Sequence, residues 1–239
     1  MLILSIGNSF SEDATRYLHQ IARADKESIT TVNLYIGGCS LSRHYRNMLS
    51  GDRTYELQIN GYKTGFNVSL GEALLNRDWD YVTMQQVSSS SPDYETFQPY
   101  LSMISDYVRE CCPKAKQVIH QTWGYENNSQ KLNELMGYPA QSAMTADIVS
   151  AYSRAAEDIG AEFIIPCGQV MQALVDRGFG KVHRDTFHAS LGAGRYALGL
   201  AWYSKFTGND IMENTFCDFD EDVSPGQIEF IKKTVMEIV

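Results

Sequence analysis

Ser9 closes an apolar run in Gly7-Asn8-Ser9, and Asp185 and His188 stand three residues apart in Asp185-Thr-Phe-His188. A serine hydroxyl is a weak nucleophile until a base takes its proton, and an imidazole does this when a carboxylate holds it in one tautomer. Ser9, His188 and Asp185 are therefore the candidate catalytic residues, as nucleophile, base and orienter. On one helical turn their i,i+3 spacing brings Asp185 and His188 into reach of each other. Each piece also has a plainer reading. A Gly-Asn-Ser turn before a helix is commonly capping chemistry, and an Asp/His pair at this spacing also occurs on solvated surfaces.

Other chemistries find little support. His19, His44, His120 and His183 show no HExxH spacing, so no metal site is expected; His183 competes weakly with His188 as base, and His120 reads as structural. The five cysteines, Cys39, Cys111, Cys112, Cys167 and Cys217, contain no CxxC, which suggests reduced, mostly buried thiols in place of a zinc site or a disulfide framework. There is no G-x-x-x-x-G-K-[ST] loop and no carboxylate cluster at metal spacing. No cofactor and no metal is expected.

The elements that must position these residues alternate. Leu2 to Ile6 reads as a strand, and a helix then opens at Ser11-Glu12-Asp13, with Tyr17, Leu18, Ile21 and Ala22 on one face. Ile29 to Ile36 is a second strand stopped by Gly37-Gly38. Thr54 to Ile59 and Tyr62 to Val68 flank Asn60-Gly61, the dipeptide suited to a two-residue turn, so a β-hairpin is expected near residues 54–68, inserted outside the main sheet. Further strands are expected at Asp80 to Gln86, Lys116 to Trp123 and Glu162 to Pro166, with helices between and after them, the last from Pro225 to Ile238. Residues 124–139 read as a long loop at the same end of the sheet as the strand C-termini. The expected fold class is α/β: a three-layer α/β/α, doubly wound, five-stranded, mostly parallel sheet in one domain over residues 1–239, with ligands bound beyond the strand C-termini.

A first strand ending in Gly7-Asn8-Ser9, a second ending in Gly37-Gly38 and a late D-x-x-H resemble, in order and over nearly the whole chain, the SGNH (GDSL-like) hydrolase superfamily of flavodoxin-like fold. The resemblance implies Ser9 as nucleophile, Asp185 and His188 as orienter and base, and an oxyanion hole built from the N–H groups of Ser9 and Gly38, with the register between Gly37 and Gly38 open. Two departures stand out. Asn8 replaces the commoner aspartate, and the third block lacks the Gly-x-Asn-Asp whose asparagine amide is the third oxyanion donor. Related carbohydrate esterases carry a glutamine in that region, so the resemblance points to Gln85-Gln86, with Gln86 favoured as the donor. It also implies an acyl-enzyme esterase acting on small acyl esters, acetyl above all, on carbohydrate.

Composition narrows the partners. The net charge of −9, from 20 basic and 29 acidic residues without a basic cluster, argues against nucleic acid. The opening run Met1 to Ile6 is too short for a signal-peptide core, and no run approaches the roughly 18 apolar residues of a membrane helix; a soluble, cytoplasmic protein without a membrane partner is expected. The substrate is expected to be a small-molecule ester, such as an acylated sugar. Trp123 and Tyr125, with Tyr94 and the serines of 88–91, are the candidate substrate-binding residues. A thioesterase or short-chain lysophospholipase, or a noncatalytic module holding an anion at the Ser9 turn, are the alternatives.

Overall fold

A computed structural model describes residues 1–239. Seven strands, β1 (Leu2–Gly7), β2 (Thr30–Tyr35), β3 (Tyr55–Ile59), β4 (Tyr62–Val68), β5 (Tyr81–Met84), β6 (Lys116–His120) and β7 (Ile164–Ile165), form one mixed sheet in the order β4-β3-β2-β1-β5-β6-β7. β1, β2, β5, β6 and β7 run parallel. The chain leaves β1 for β2 on one side and returns to β5 on the other, so the sheet order reverses at the C-terminal end of β1, where a crevice opens in sheets of this kind. Ile6 pairs with Leu34 of β2 and with Met84 of β5, which brings residue 9, residues 37–38 and residues 85–88 to the same edge.

The sheet is wider than the expected five strands. Residues 55–68 do not stand outside it: β3 pairs antiparallel with β2, β4 pairs with β3, and Asn60 and Gly61 turn the chain at φ 52° and 82°. The physical reason lies at β2, whose outer edge would otherwise present unpaired peptide groups. Asn60 ties the turn to it, its N–H donating to Thr31 O at 2.8 Å and its Oδ1 accepting from Thr31 N at 3.0 Å. A side chain at Gly61 would run into the backbone of Arg16, so the turn also packs closely on the segment that follows the first helix.

The helices are α1 (Ser9–Thr15), α2 (Leu18–Ala24), α3 (Leu41–Ser50), α4 (Leu70–Leu75), α5 (Tyr100–Cys111), α6 (Gln141–Ile159), α7 (Cys167–Asp176), α8 (Ala193–Thr207) and α9 (Pro225–Ile238). The helix expected from Ser11 starts earlier, because Asn8 is its cap, and it is broken at Arg16-Tyr17 into α1 and α2. α8 packs on α1, α2, α7 and α9, while α5 packs on α3, α4 and α6. α8 buries all but a few of its residues, including Trp202 and Tyr203, and Gly199 lets it close on Ile21 and Tyr17 of α2 and its approach. No helix is long and apolar enough to cross a membrane.

Three histidines lie inside this core. Burial lowers His44 and His120 to a pKa of about 3 and His183 to about 4, because the imidazolium would lose its hydration. Each stays neutral in the fold but takes up a proton in the unfolded chain near its ordinary value of about 6.5. Their contribution is therefore complete above that pH and is lost as pH falls toward 4. Urea midpoints are expected to drop steadily between pH 7.5 and 5; a flat midpoint across that range would contradict the neutral burial.

Candidate active site

The turn that presents Ser9 is built by its neighbours. Asn8, buried and extended at φ −148°, caps α1 by accepting the Phe10 N–H at 2.9 Å, while its own N–H donates to the Ser11 hydroxyl at 3.0 Å. Ser11 in turn lies so close to Gly7 that a side chain there would collide with it. The Asn8 amide also donates to Cys39 O at 3.2 Å, drawing the Gly37-Gly38 turn toward Ser9. As the first residue of α1, Ser9 has an N–H with no carbonyl below it, and the N–H of Gly38 makes no hydrogen bond in the protein. Gly38 sits at φ 60°, which suits glycine best.

Opposite Ser9 stands His188. Its Nε2 is 2.9 Å from Ser9 Oγ, and its Nδ1 is 2.8 Å from Asp185 Oδ2. Asp185 and His188 do not share a helical turn as expected. They occupy a bent loop closed by a bridge between His183 and Ala189, in which Asp185 Oδ1 accepts the N–H groups of Phe187 at 3.0 Å and His188 at 2.8 Å. A short acidic side chain bonding to the backbone two residues on is the local reason for this bend. Partial burial works to raise the Asp185 pKa, but the bonds from the His188 backbone and ring and from Phe187 outweigh it and hold the carboxyl at about 2. With that carboxylate ionised, Nδ1 carries the imidazole hydrogen and Nε2 is left to accept from Ser9.

The loop bearing His188 is fastened to the helix bearing Ser9 by Asp13, a residue sequence reasoning took only as a helix-opening acid. One turn along α1, Asp13 has a side chain wholly removed from solvent. Arg184 Nη1 reaches both of its oxygens at 2.8 Å, Arg195 Nε donates at 2.9 Å and Ala189 N–H at 3.2 Å. Residues 184 and 189 bracket Asp185 and His188, so one carboxylate holds both ends of the loop. Arg195 continues to Asp220 at 2.9 Å, and Asp220 receives both arms of Arg16 at 2.7 and 2.6 Å. No sequence motif marks Asp13; its partners are far away in the chain.

Gln86 is not placed as expected. Its carboxamide is buried and fully engaged: Oε1 accepts from Leu41 N and Val87 N, each at 2.9 Å, and Nε2 donates to Thr96 O at 2.9 Å. A buried amide needs all its partners, and here they join the end of β5 to the start of α3. Gln85 is also committed, donating to Asn8 Oδ1 at 2.8 Å and lying 2.7 Å from His120 Nδ1. It braces the Ser9 turn from behind, with His120 behind it in turn. What faces the cavity at this strand end is Val87-Ser88-Ser89.

The cavity beside Ser9 measures about 500 Å³ and is bounded by Gly37, Gly38, Phe187 and His188, by Tyr35 and Tyr125, and by the charged Glu12, Lys131 and Arg184. Tyr125 borders it as expected, its hydroxyl 2.9 Å from that of Ser88. Trp123 does not. It is fully buried beneath the site, its ring 4.1 Å from that of Phe10 and its N–H donated to Phe187 O at 2.8 Å, so it supports the wall without forming it. Tyr94 lies elsewhere, bonded to Asp158. No three His, Cys, Asp or Glu side chains converge where a metal ion could be held.

Residues 2–235 match the family described as "Domain of unknown function (DUF4886)". The chain belongs to the DUF4886 family. It is similar to the crystal structure of a DUF4886 family protein from Bacteroides uniformis, at 30% identity over 99% of this chain and 93% of that one, with a TM-score of 0.90. The DUF4886 fold is shared with a proposed SGNH hydrolase from Slackia heliotrinireducens, at 23% identity over 86% and 98% of the two chains and a TM-score of 0.61. It is shared likewise with an acetylxylan esterase from Geobacillus stearothermophilus, at 14% identity over 90% and 97% and a TM-score of 0.54. No curated protein matches the sequence.

A buried carboxylate that loses its charge leaves Arg184 without an acid and Arg195 with Asp220 alone, a loss of about 3–5 kcal/mol for a broken buried pair. Asp13→Asn is expected to lower the urea unfolding free energy by that order. A change within about 0.5 kcal/mol, the range of an ordinary surface substitution, would show that Asp13 does not bind the loop to α1.

Proposed function

We propose that this protein is a serine esterase that hydrolyses small acyl esters, acetyl esters of carbohydrate first among them, through an acyl-enzyme. The observation that carries this reading is the unbroken chain Asp185 Oδ2 to His188 to Ser9 Oγ, at 2.8 and 2.9 Å, on the floor of an open cavity. The fold that the chain shares with SGNH hydrolases and with an acetylxylan esterase supports it.

In this mechanism His188 Nε2 takes the Ser9 proton as Oγ bonds to the ester carbonyl carbon. The N–H groups of Ser9 and Gly38 receive the resulting oxyanion, two donors aimed where charge develops. As the tetrahedral adduct collapses, the carbon–oxygen bond to the alcohol breaks, and His188 returns the proton to the departing oxygen. A water, deprotonated by His188, then attacks the acyl carbon; the bond from that carbon to Oγ breaks, His188 returns the proton to Ser9 Oγ, and the acid leaves. Asp185 stays ionised and holds the imidazole in the tautomer the first step needs. The neutral carboxamide of Asn8 and the engaged amides of Gln85 and Gln86 build the turn and take no part in the chemistry.

The cavity suits a polar alcohol. Ser88, Ser89, Tyr35 and Tyr125 offer hydroxyls beside aromatic faces, as sugar rings require.

Ser9→Ala is expected to abolish acetate release from p-nitrophenyl acetate and from acetylated xylo-oligosaccharides, with kcat falling by roughly 10⁴-fold or more. A purified, folded Ser9→Ala protein that keeps most of its activity would overturn the reading.

A further inference from the structure

The cavity carries a charge that nothing in the chain answers. Of the ionisable residues on its wall, Glu12 is engaged by the Gln58 amide at 2.8 Å and by Lys63 at 3.8 Å, and His188 is engaged by Asp185. Lys131 is different. Its ammonium makes no hydrogen bond and no ion pair; it sits 3.3 Å from the centre of the Phe187 ring and 5.9 Å from that of Tyr125. A cation over aromatic faces is held in place without being neutralised.

Its position is built as well. Lys131 opens a short π-helical turn, Lys131–Leu135, that Leu132 anchors in the core while the Ser129 hydroxyl caps the Leu132 N–H at 3.1 Å. Phe187, the ring beneath the ammonium, packs on His188 with centroids 3.9 Å apart. The charge therefore lies one ring away from the base. Across the same wall Arg184 spends its Nη1 on Asp13 and Ala189, while its Nε and Nη2 make no hydrogen bond. The Arg184 charge is matched by Asp13, so Lys131 is the cation of this wall that meets no acid, in a protein of net charge −9.

Resting on the esterase reading above, we infer that Lys131 selects esters whose alcohol part carries a carboxylate, such as an O-acetylated sugar acid. An acetyl group bears no charge, so the anion must belong to the alcohol. One unneutralised ammonium on the wall matches a single carboxylate, and Glu12 in the same cavity opposes a dianion such as phosphate more strongly. A carboxylate bound there is held before and during the chemical step alike, so its benefit appears in KM and leaves kcat largely untouched.

The test compares acetate release from an O-acetylated uronic acid glycoside and from the methyl ester of its carboxyl group. The wild-type protein is expected to favour the free acid in kcat/KM by about tenfold, through KM, as for one charge-assisted bond, and less so as sodium chloride is raised. In Lys131→Met the acid-to-ester ratio is expected to approach one. A wild-type protein that handles the methyl ester as well as the acid, or a Lys131→Met ratio unchanged from wild type, would overturn the inference while the esterase reading stands. Release of acetate from neither compound also overturns it; a fluorophosphonate probe that then fails to label Ser9 removes the esterase reading as well.

Discussion

A carboxylate taken wholly out of water has to be matched by charge and hydrogen bonds, and Asp13 is matched by residues that sit on both sides of the candidate base. That requirement sets the geometry of the site. Asp13 rides on the helix that begins with Ser9, while Arg184 and Ala189 bracket the loop that carries His188. Satisfying this buried carboxylate brings a hydroxyl and an imidazole from opposite ends of the chain to 2.9 Å. Through Arg195 and Asp220 the same network reaches Arg16, whose backbone packs under the turn of the hairpin at Gly61. The edge of the sheet and the far loop are thereby tied to one helix.

A second set of bonds fixes the turn itself. Asn8 caps α1, holds Cys39 O and accepts from Gln85, which is backed by His120. Burial keeps His120 neutral, so this chain of contacts adds no charge beside Ser9. Gln86 plays the matching part for α3, accepting the Leu41 N–H from the end of β5. The ends of three parallel strands are thus cross-braced by side-chain amides, and the N–H groups of Ser9 and Gly38, two residues of the cavity wall, are left without a partner in the protein.

Much of this was legible in the sequence, where local chemistry decides. Apolar runs closed by Gly7-Asn8-Ser9 and Gly37-Gly38 mark strand ends, and a D-x-x-H far down the chain completes a recognisable order. The five parallel strands and the turn at Asn60-Gly61 follow from the same local signals. What escaped depends on partners distant in the chain. Nothing near Tyr55–Val68 says that β2 needs an edge partner, so a hairpin read as an insertion becomes the rim of the sheet. Asp13 looks like any acid in the first turn of a helix until Arg184 and Arg195 are seen around it. Gln86 has the residue type of a donor, but Leu41, Val87 and Thr96 claim its amide. Trp123 looks like a sugar platform, yet Phe10 and Phe187 bury it.

The esterase reading rests on one physical claim, that the Asp185–His188 pair makes the Ser9 hydroxyl more reactive than any other in the chain. Labelling the folded protein with a fluorophosphonate and locating the adduct by mass spectrometry tests this directly. The expected result is a single adduct on Ser9 that disappears when His188 is replaced by alanine. A folded wild-type protein that takes up no label at Ser9 would contradict it.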